Sequence, residues 1–433
     1  MKRTIVAALA AVLAVAAAGV TAAQTARQDI KYIHAGRLLA DPASGRVETN
    51  KTVVVIDGRV TDIRDGFTGG TDGEVVDLRD SFVMPGLIDS HVHILGEGGP
   101  ENRFNDVLNS DADDAISGAG FAMKTLKAGF TTVVDLGEGG GDAIFALRDG
   151  IAAGRVPGPR ILAAGSTITP HGGHADAHGY REDILHLIGP TSTCSGADDC
   201  RRAVREQVKR GVDVIKVTAT GGVLSNTRAG LAQQMTDDEL KAIVETAHQL
   251  GRKVAAHAHG VDGINAALRA GVDSIEHGSY LDAESIKLFK AGKARLVPTL
   301  LAGDFVVREA RAGRLRPNQA EKALIAGPLM VDAASRARAA GVRFAFGTDS
   351  GVSKHGDNAQ EFALLVRAGF TPMQTLQLAT VEAAEHLGLS NEIGRLKPGM
   401  AADIIAVKGD PLADVREMER VSFVMRNGAV FKR

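Results

Sequence analysis

The stretch VKRGVDVIKVTATGG, residues 208–222, carries the reading of the fold. A polar, helix-compatible run ends at Gly211, and Val212, Val214, Ile215 and Val217 follow as the apolar, β-branched pattern of a buried parallel strand. Glycine in the left-handed conformation is a common way to end a helix. Lys216 sits inside the apolar run, where an ammonium ion is costly to desolvate unless something holds it.

The same helix–glycine–strand order recurs in LKAGFTTVVDLG (126–137), HQLGRKVAAHAH (248–259), LRAGVDSIEHGS (268–279) and ARAAGVRFAFGTDS (337–350). Helix-to-strand alternation implies parallel strands joined by helical crossovers. FVMPGLIDSHVHI (82–94), PGPRILAAGST (157–167) and KARLVPTLL (293–301) complete a set of eight candidate strands. Eight strands over about 300 residues favour an α/β fold of the closed (β/α)8 TIM-like barrel type over an open doubly wound sheet. No G-x-G-x-x-G or P-loop signature argues for the open form.

Both ends of the chain are β-rich. TVVVIDGRVTDI (52–63) reads as a hairpin turning at Asp57-Gly58, and VSFVMRNGAVFKR (421–433) as another turning at Asn427-Gly428. The expected organisation is a signal peptide over 1–23, a small β-sandwich domain built from 24–80 and 393–433, and the barrel over 81–392. In the leader, Lys2 and Arg3 precede an apolar stretch from Ile5 to Val20 and the small residues Thr21-Ala22-Ala23. Cleavage after Ala23 predicts a periplasmic or secreted protein without stable membrane association; an uncleaved anchor is the alternative.

The 433 residues carry a net charge of −2 and are 44% hydrophobic, which excludes a disordered chain. Without a charge excess, with few aromatics and no Trp, no nucleic-acid surface is expected. The two cysteines, Cys194 and Cys200, stand close together in TSTCSGADDCRR. An oxidising compartment favours a disulfide between them, with two free thiols as the alternative.

Reactive groups of a barrel belong at the C-terminal ends of its strands. The first candidate strand ends in His91-Val92-His93, the fourth carries Lys216, the fifth ends in His257-Ala258-His259, the sixth in His277, and the eighth in Asp349. The loop after the third adds His171, His174 and His178. A lone strand-end histidine is usually a hydrogen-bonded structural group. A ring of them with a carboxylate has the composition that binds zinc and similar divalent ions.

GLIDSHVHI, VIKVTATGGV, VAAHAHG, SIEHG and GTDSG resemble the amidohydrolase superfamily. They are most similar to its exported prolidase- and imidazolonepropionase-like branch of Xaa-amino-acid dipeptidases and carboxypeptidases. The resemblance runs from about residue 30 to the C-terminus. It implies two divalent metals per chain, zinc first, with manganese or cobalt also fitting. His91, His93 and Asp349 would hold the more buried ion and His257 and His277 the more exposed one. Lys216 would be N-carboxylated with CO2 and bridge them, an anion rather than a buried cation. A single metal beside a salt-bridged Lys216 is the alternative.

The implied reaction is attack of a metal-bridging hydroxide on an amide carbonyl, with Asp349 moving the proton to the leaving amine. His174 and His259 are the candidate donors to the developing oxyanion. Arg228 and Asn358 are candidate substrate contacts, Arg228 for a free α-carboxylate. His355 stands in the same loop as Asn358. The expected substrate is a dipeptide or N-acyl amino acid cut at the amide of its C-terminal residue, bulky ochratoxin-type aryl amides included. Cyclic-amide or lactone hydrolysis is the runner-up, with a non-catalytic metal-binding protein behind it. Lys216 counts against a mononuclear deaminase. A homo-oligomer is expected by resemblance.

Overall fold

The structure, a computed structural model, describes residues 28–99, 104–137, 141–189, 192–226 and 230–433. The expected signal peptide lies outside the described residues. Among the described residues no helix is long and apolar enough to cross a membrane.

Four strands open the chain: β1 (Ile30–Leu38), β2 (Glu48–Ile56), β3 (Arg59–Asp65) and β4 (Glu74–Pro85). Parallel strands follow as β5 (Leu87–Val92), β6 (Phe130–Asp135) and β7 (Arg160–Ala163). A two-stranded pair, β8 (Thr169–Pro170) and β9 (Thr193–Cys194), precedes β10 (Val214–Thr218), β11 (Lys253–Ala258), β12 (Ser274–His277) and β13 (Arg295–Val297). The chain closes with β14 (Ile404–Val407), β15 (Phe423–Arg426) and β16 (Ala429–Lys432).

The two β-rich ends form one sheet of seven strands, in the order β16-β15-β14-β4-β1-β2-β3. Its hydrogen bonding runs unbroken from edge to edge, so the β-rich ends form a single bonded sheet where a sandwich was expected. Ile33, Val53, Val60, Val83, Ile404 and Phe423 share one apolar cluster on its inner face. Its hairpins turn at Asp57-Gly58 and Asn427-Gly428, and all four residues have positive φ, as such tight turns require. β4 carries this sheet through Pro85, past the boundary expected at residue 80.

The parallel strands bond as β5-β6-β7 and as β10-β11-β12-β13. Further backbone contacts link the two groups. Asp213 N donates to Ala163 O at the end of β7, and Ile168 bridges Val217 of β10. On the other side Phe344 bridges Leu296 of β13, and Ser350 bridges Val92 of β5. The segment 343–350 thus makes isolated bridges and is not a continuous strand.

Alternation along β10 explains its sequence. Ile215 and Val217 face the helices and join Val204, Leu240 and Val254 in the main core. Burial of each such side chain is worth roughly 1.5–3 kcal/mol. Val214 packs on the other face with Val134, Leu136 and Ala255. Lys216 shares that face and is only 4% exposed. Gly211 ends the preceding helix, Ala197–Arg210, at φ +91°, so the chain turns into β10 without a Cβ penalty. A disulfide joins Cys194 of β9 to Cys200 in that helix.

Candidate active site

The strand ends converge on one cavity of about 890 Å3. His91, His93, His174, Lys216, His257, His259, His277 and Asp349 all line it. They come from β5, β10, β11, β12, the 343–350 segment and the loop after β8, which no sequence neighbourhood would bring together.

Each imidazole is oriented by its second nitrogen. His91 Nδ1 lies 2.8 Å from Glu276 Oε2, and His93 Nδ1 lies 2.6 Å from the Gly137 carbonyl. Both partners only accept, so each ring proton sits on Nδ1 and each Nε2 presents a lone pair. Those Nε2 atoms stand 3.5 and 3.1 Å from Asp349 Oδ1, a buried carboxylate oxygen.

The second cluster repeats the pattern. Thr299 donates its hydroxyl to Pro298 O and so accepts from His277 Nδ1 at 2.6 Å. His257 Nε2 is 3.3 Å from the Gly221 carbonyl, which again accepts. The remaining nitrogens, His277 Nε2 and His257 Nδ1, face each other 3.0 Å apart, lone pair to lone pair. Such electron-rich contacts are unfavourable unless a cation lies among them, and histidine with carboxylate is a donor set for divalent metal. Among the described residues, His91–His277–Asp349 and His257–His259–His277 are the two groups close enough to share an ion.

Burial pushes the imidazoles of His91, His257 and His277 well below their ordinary range, so they are neutral, as ligands must be. His174 is pushed down to about 3 and His259 to about 4, again chiefly by burial. Burial pushes the Asp349 carboxyl up, but the His91 and His93 rings and Lys216 outweigh it and hold the group below its usual value. Lys216 is lowered by burial, against the pull of Glu276, Asp349 and Asp135. Its Nζ lies 3.4 Å from His91 Nε2. His277 and Asp349 both have left-handed backbones, at φ +70° and +60°, a strained conformation common at functional sites.

Other expected residues fall elsewhere. Asn358 does not line the cavity: it is fully buried and donates to Asp89 Oδ2 at 2.8 Å, beneath the first strand end. The expectation that it touches substrate is corrected accordingly. Arg228 lies outside the described residues. His355 stacks on Phe121 and meets the Gly96 carbonyl, and His171 meets Ser195 on the surface; neither lines the cavity. His178 does line it, with Nε2 2.7 Å from Gly173 O. Glu276 and Asp135 are the site residues that sequence reading passed over. Each stood in plain view as an acid at a strand end, in SIEHG and VVDLG.

The amidohydrolase family profile matches residues 82–430. The chain belongs to the amidohydrolase family. This amidohydrolase is 32% identical over 438 residues to ochratoxinase from Aspergillus niger, covering 95% of this chain and 88% of that protein. A crystal structure of a Xaa-Pro dipeptidase with bound methionine in its active site superposes with a TM-score of 0.88 at 38% identity, covering 94% of this chain and all of that one. A prolidase complexed with N-methylphosphonate-L-proline gives a TM-score of 0.84 at 28% identity, over 93% of this chain and 100% of the other. The amidohydrolase is therefore an amide-bond hydrolase of mixed α/β fold with a β-rich domain, in the prolidase-like branch.

Proposed function

We propose that this amidohydrolase cleaves the amide bond to the C-terminal amino acid of dipeptides and N-acyl or aryl-acyl amino acids, with two divalent ions per chain. The observation that carries the reading is the convergence of His91 Nε2 and His93 Nε2 on Asp349 Oδ1, at 3.5 and 3.1 Å, beside Lys216. The prolidase-like relatives and ochratoxinase support an amide whose amine side is an amino acid. The eight parallel segments are read as a closed (β/α)8 barrel over 81–392, flanked by the domain from 24–80 and 393–433.

His91, His93 and Asp349 would hold one ion, His257 and His277 the other, and an N-carboxylated Lys216 both. Zinc suits these donors best, and manganese or cobalt would also fit. Bound there, divalent ions acidify water and polarise the scissile carbonyl. The chain supplies the rest. Asp349 takes the proton of the attacking water and delivers it to the leaving nitrogen, so that an amine rather than an amide anion departs. His174 and His259 donate N–H to the carbonyl oxygen as it becomes negative. The cavity suits a small molecule or short peptide. Export after cleavage at Ala23 and assembly into a homo-oligomer complete the reading.

The test is a hydrolysis screen of purified, metal-reconstituted protein against dipeptides and N-acyl amino acids varied at the C-terminal residue. Release of one class of free amino acid with two metals per chain is expected. Turnover of cyclic amides or lactones alone would overturn the assignment.

A further inference from the structure

His174 comes from a loop, yet the structure holds it more tightly than its position suggests. Its Nδ1 lies 2.5 Å from Ser225 Oγ. That oxygen also accepts the backbone N–H of Gly222 at 3.3 Å. Gly222 can only donate to that oxygen, so of these two contacts His174 Nδ1 is the acceptor open to the buried Ser225 hydroxyl proton. The imidazole proton therefore sits on Nε2, the nitrogen that remains for the cavity.

The turn that carries Ser225 is itself fastened from a distance. Lys322, on the helix Pro317–Ala339, donates from Nζ to the carbonyls of Gly222 and Ser225, both at 2.8 Å. Gln319, on the same helix, donates to the Leu224 carbonyl at 2.5 Å. Lys322 is half-buried and has no carboxylate partner among the described residues. An ammonium ion placed this way costs solvation, so its two carbonyl contacts are the interactions that keep it there. It does not line the cavity and is out of place for a substrate contact.

Gly222 completes the arrangement. A Cβ there would stand 2.1 Å from His174 Cε1 and 2.3 Å from Nδ1, so the ring lies against the bare backbone. The ring also meets His257, with centroids 4.1 Å apart. Gln234 Oε1 accepts the backbone N–H of His174 at 2.9 Å.

We propose that Gly222, Ser225 and Lys322 form a clamp that fixes His174 as the Nε2–H tautomer, aimed at the carbonyl oxygen of the substrate. Its catalytic consequence rests on the amide-hydrolase reading above, but its geometry does not. Ser225, which lines the cavity beside His174, and Lys322, which does not, are positioning residues in this clamp: both act through His174.

The test uses the full chain with Ser225→Ala, Lys322→Met, Lys322→Arg and His174→Ala. An oxyanion donor is worth about 100-fold in kcat or more, so His174→Ala should lose that much. Ser225→Ala and Lys322→Met should each lower kcat by about tenfold with KM nearly unchanged, a fraction of that donor's worth. Lys322→Arg should recover most of the loss. Adding Ser225→Ala to His174→Ala should cost nothing further. Independently of turnover, 15N NMR of histidine-labelled protein should show His174 as Nε2–H in the wild type and as a tautomer mixture in Ser225→Ala.

An Nδ1–H signal in the wild type, a wild-type kcat in Ser225→Ala, or fully additive losses would overturn the clamp. So would a Lys322→Met effect confined to KM. Ser225→Ala removes one oxygen and keeps the test valid should Lys322→Met fail to fold. Should the wild type hydrolyse no amide, the NMR readout still decides the clamp separately from the reaction.

Discussion

Glu276 Oε2 lies 2.8 Å from Nδ1 of His91, and both side chains are almost fully buried. Ser274 holds the other carboxylate oxygen at 2.5 Å. The pair fixes the tautomer in which His91 Nε2 carries the lone pair that the proposed metal would use, and such outer partners typically contribute 10–100-fold in affinity. Glu276→Gln offers an amide that can present N–H2 to Nδ1 instead of an acceptor. Its metal affinity should fall by about that factor, measured by competition with a chelator. Unchanged affinity would mean that His91 is oriented by packing alone.

Lys216 is buried beside His91, within the field of the Glu276, Asp349 and Asp135 carboxylates. The proposed N-carboxylation would turn it from a costly cation into an anion able to hold divalent metal. Lys216→Met should lose both ions and nearly all turnover while keeping its fold by circular dichroism. Intact-protein mass spectrometry under native conditions should show one added CO2 on the wild type and none on the variant. An unmodified lysine in a fully metallated, active enzyme would contradict the assignment.

Asp349→Asn keeps an oxygen donor for metal but cannot take a proton. Metal content should therefore hold, while kcat falls by about 100- to 10,000-fold, the usual worth of a general acid–base group. Full activity in this variant would remove Asp349 from the proton pathway.

The strand ends were readable because alternation puts every second residue on one face, so H-x-H, IKV and TDSG announce side chains that share a cavity. What alternation does not reveal is depth. Asn358 follows the eighth segment as closely as a contact should, but it turns beneath the first strand to hold Asp89. The clamp on His174 was beyond reach for another reason. Lys322 and Gly222 are 100 residues apart, and only the packing of a long helix over the strand-four loop brings them together. The eighth segment kept its site residue while showing isolated bridges in place of a regular ladder.

Glu361 makes a prediction that does not involve metal. Its carboxylate is fully buried and accepts the N–H groups of Leu300 and Leu301, at the first turn of the helix Leu300–Arg311. Burial pushes its pKa up to about 8; the two N–H donors pull it down and the nearby Asp89 carboxyl pushes it up. Asp89 is itself raised to about 6, mainly by burial. A carboxyl whose folded pKa exceeds its unfolded value of about 4.3 binds more protons when folded, so stability falls as pH rises between those values. From Glu361 alone, the protein should lose on the order of a few kcal/mol between about pH 5 and pH 8. Glu361→Gln cannot titrate, so its urea midpoint should vary less across that range, even if it is lower at pH 5 because one N–H then faces an amide. Parallel pH profiles for the wild type and Glu361→Gln would show that the helix N–H groups stabilise the carboxylate enough to cancel the cost of its burial.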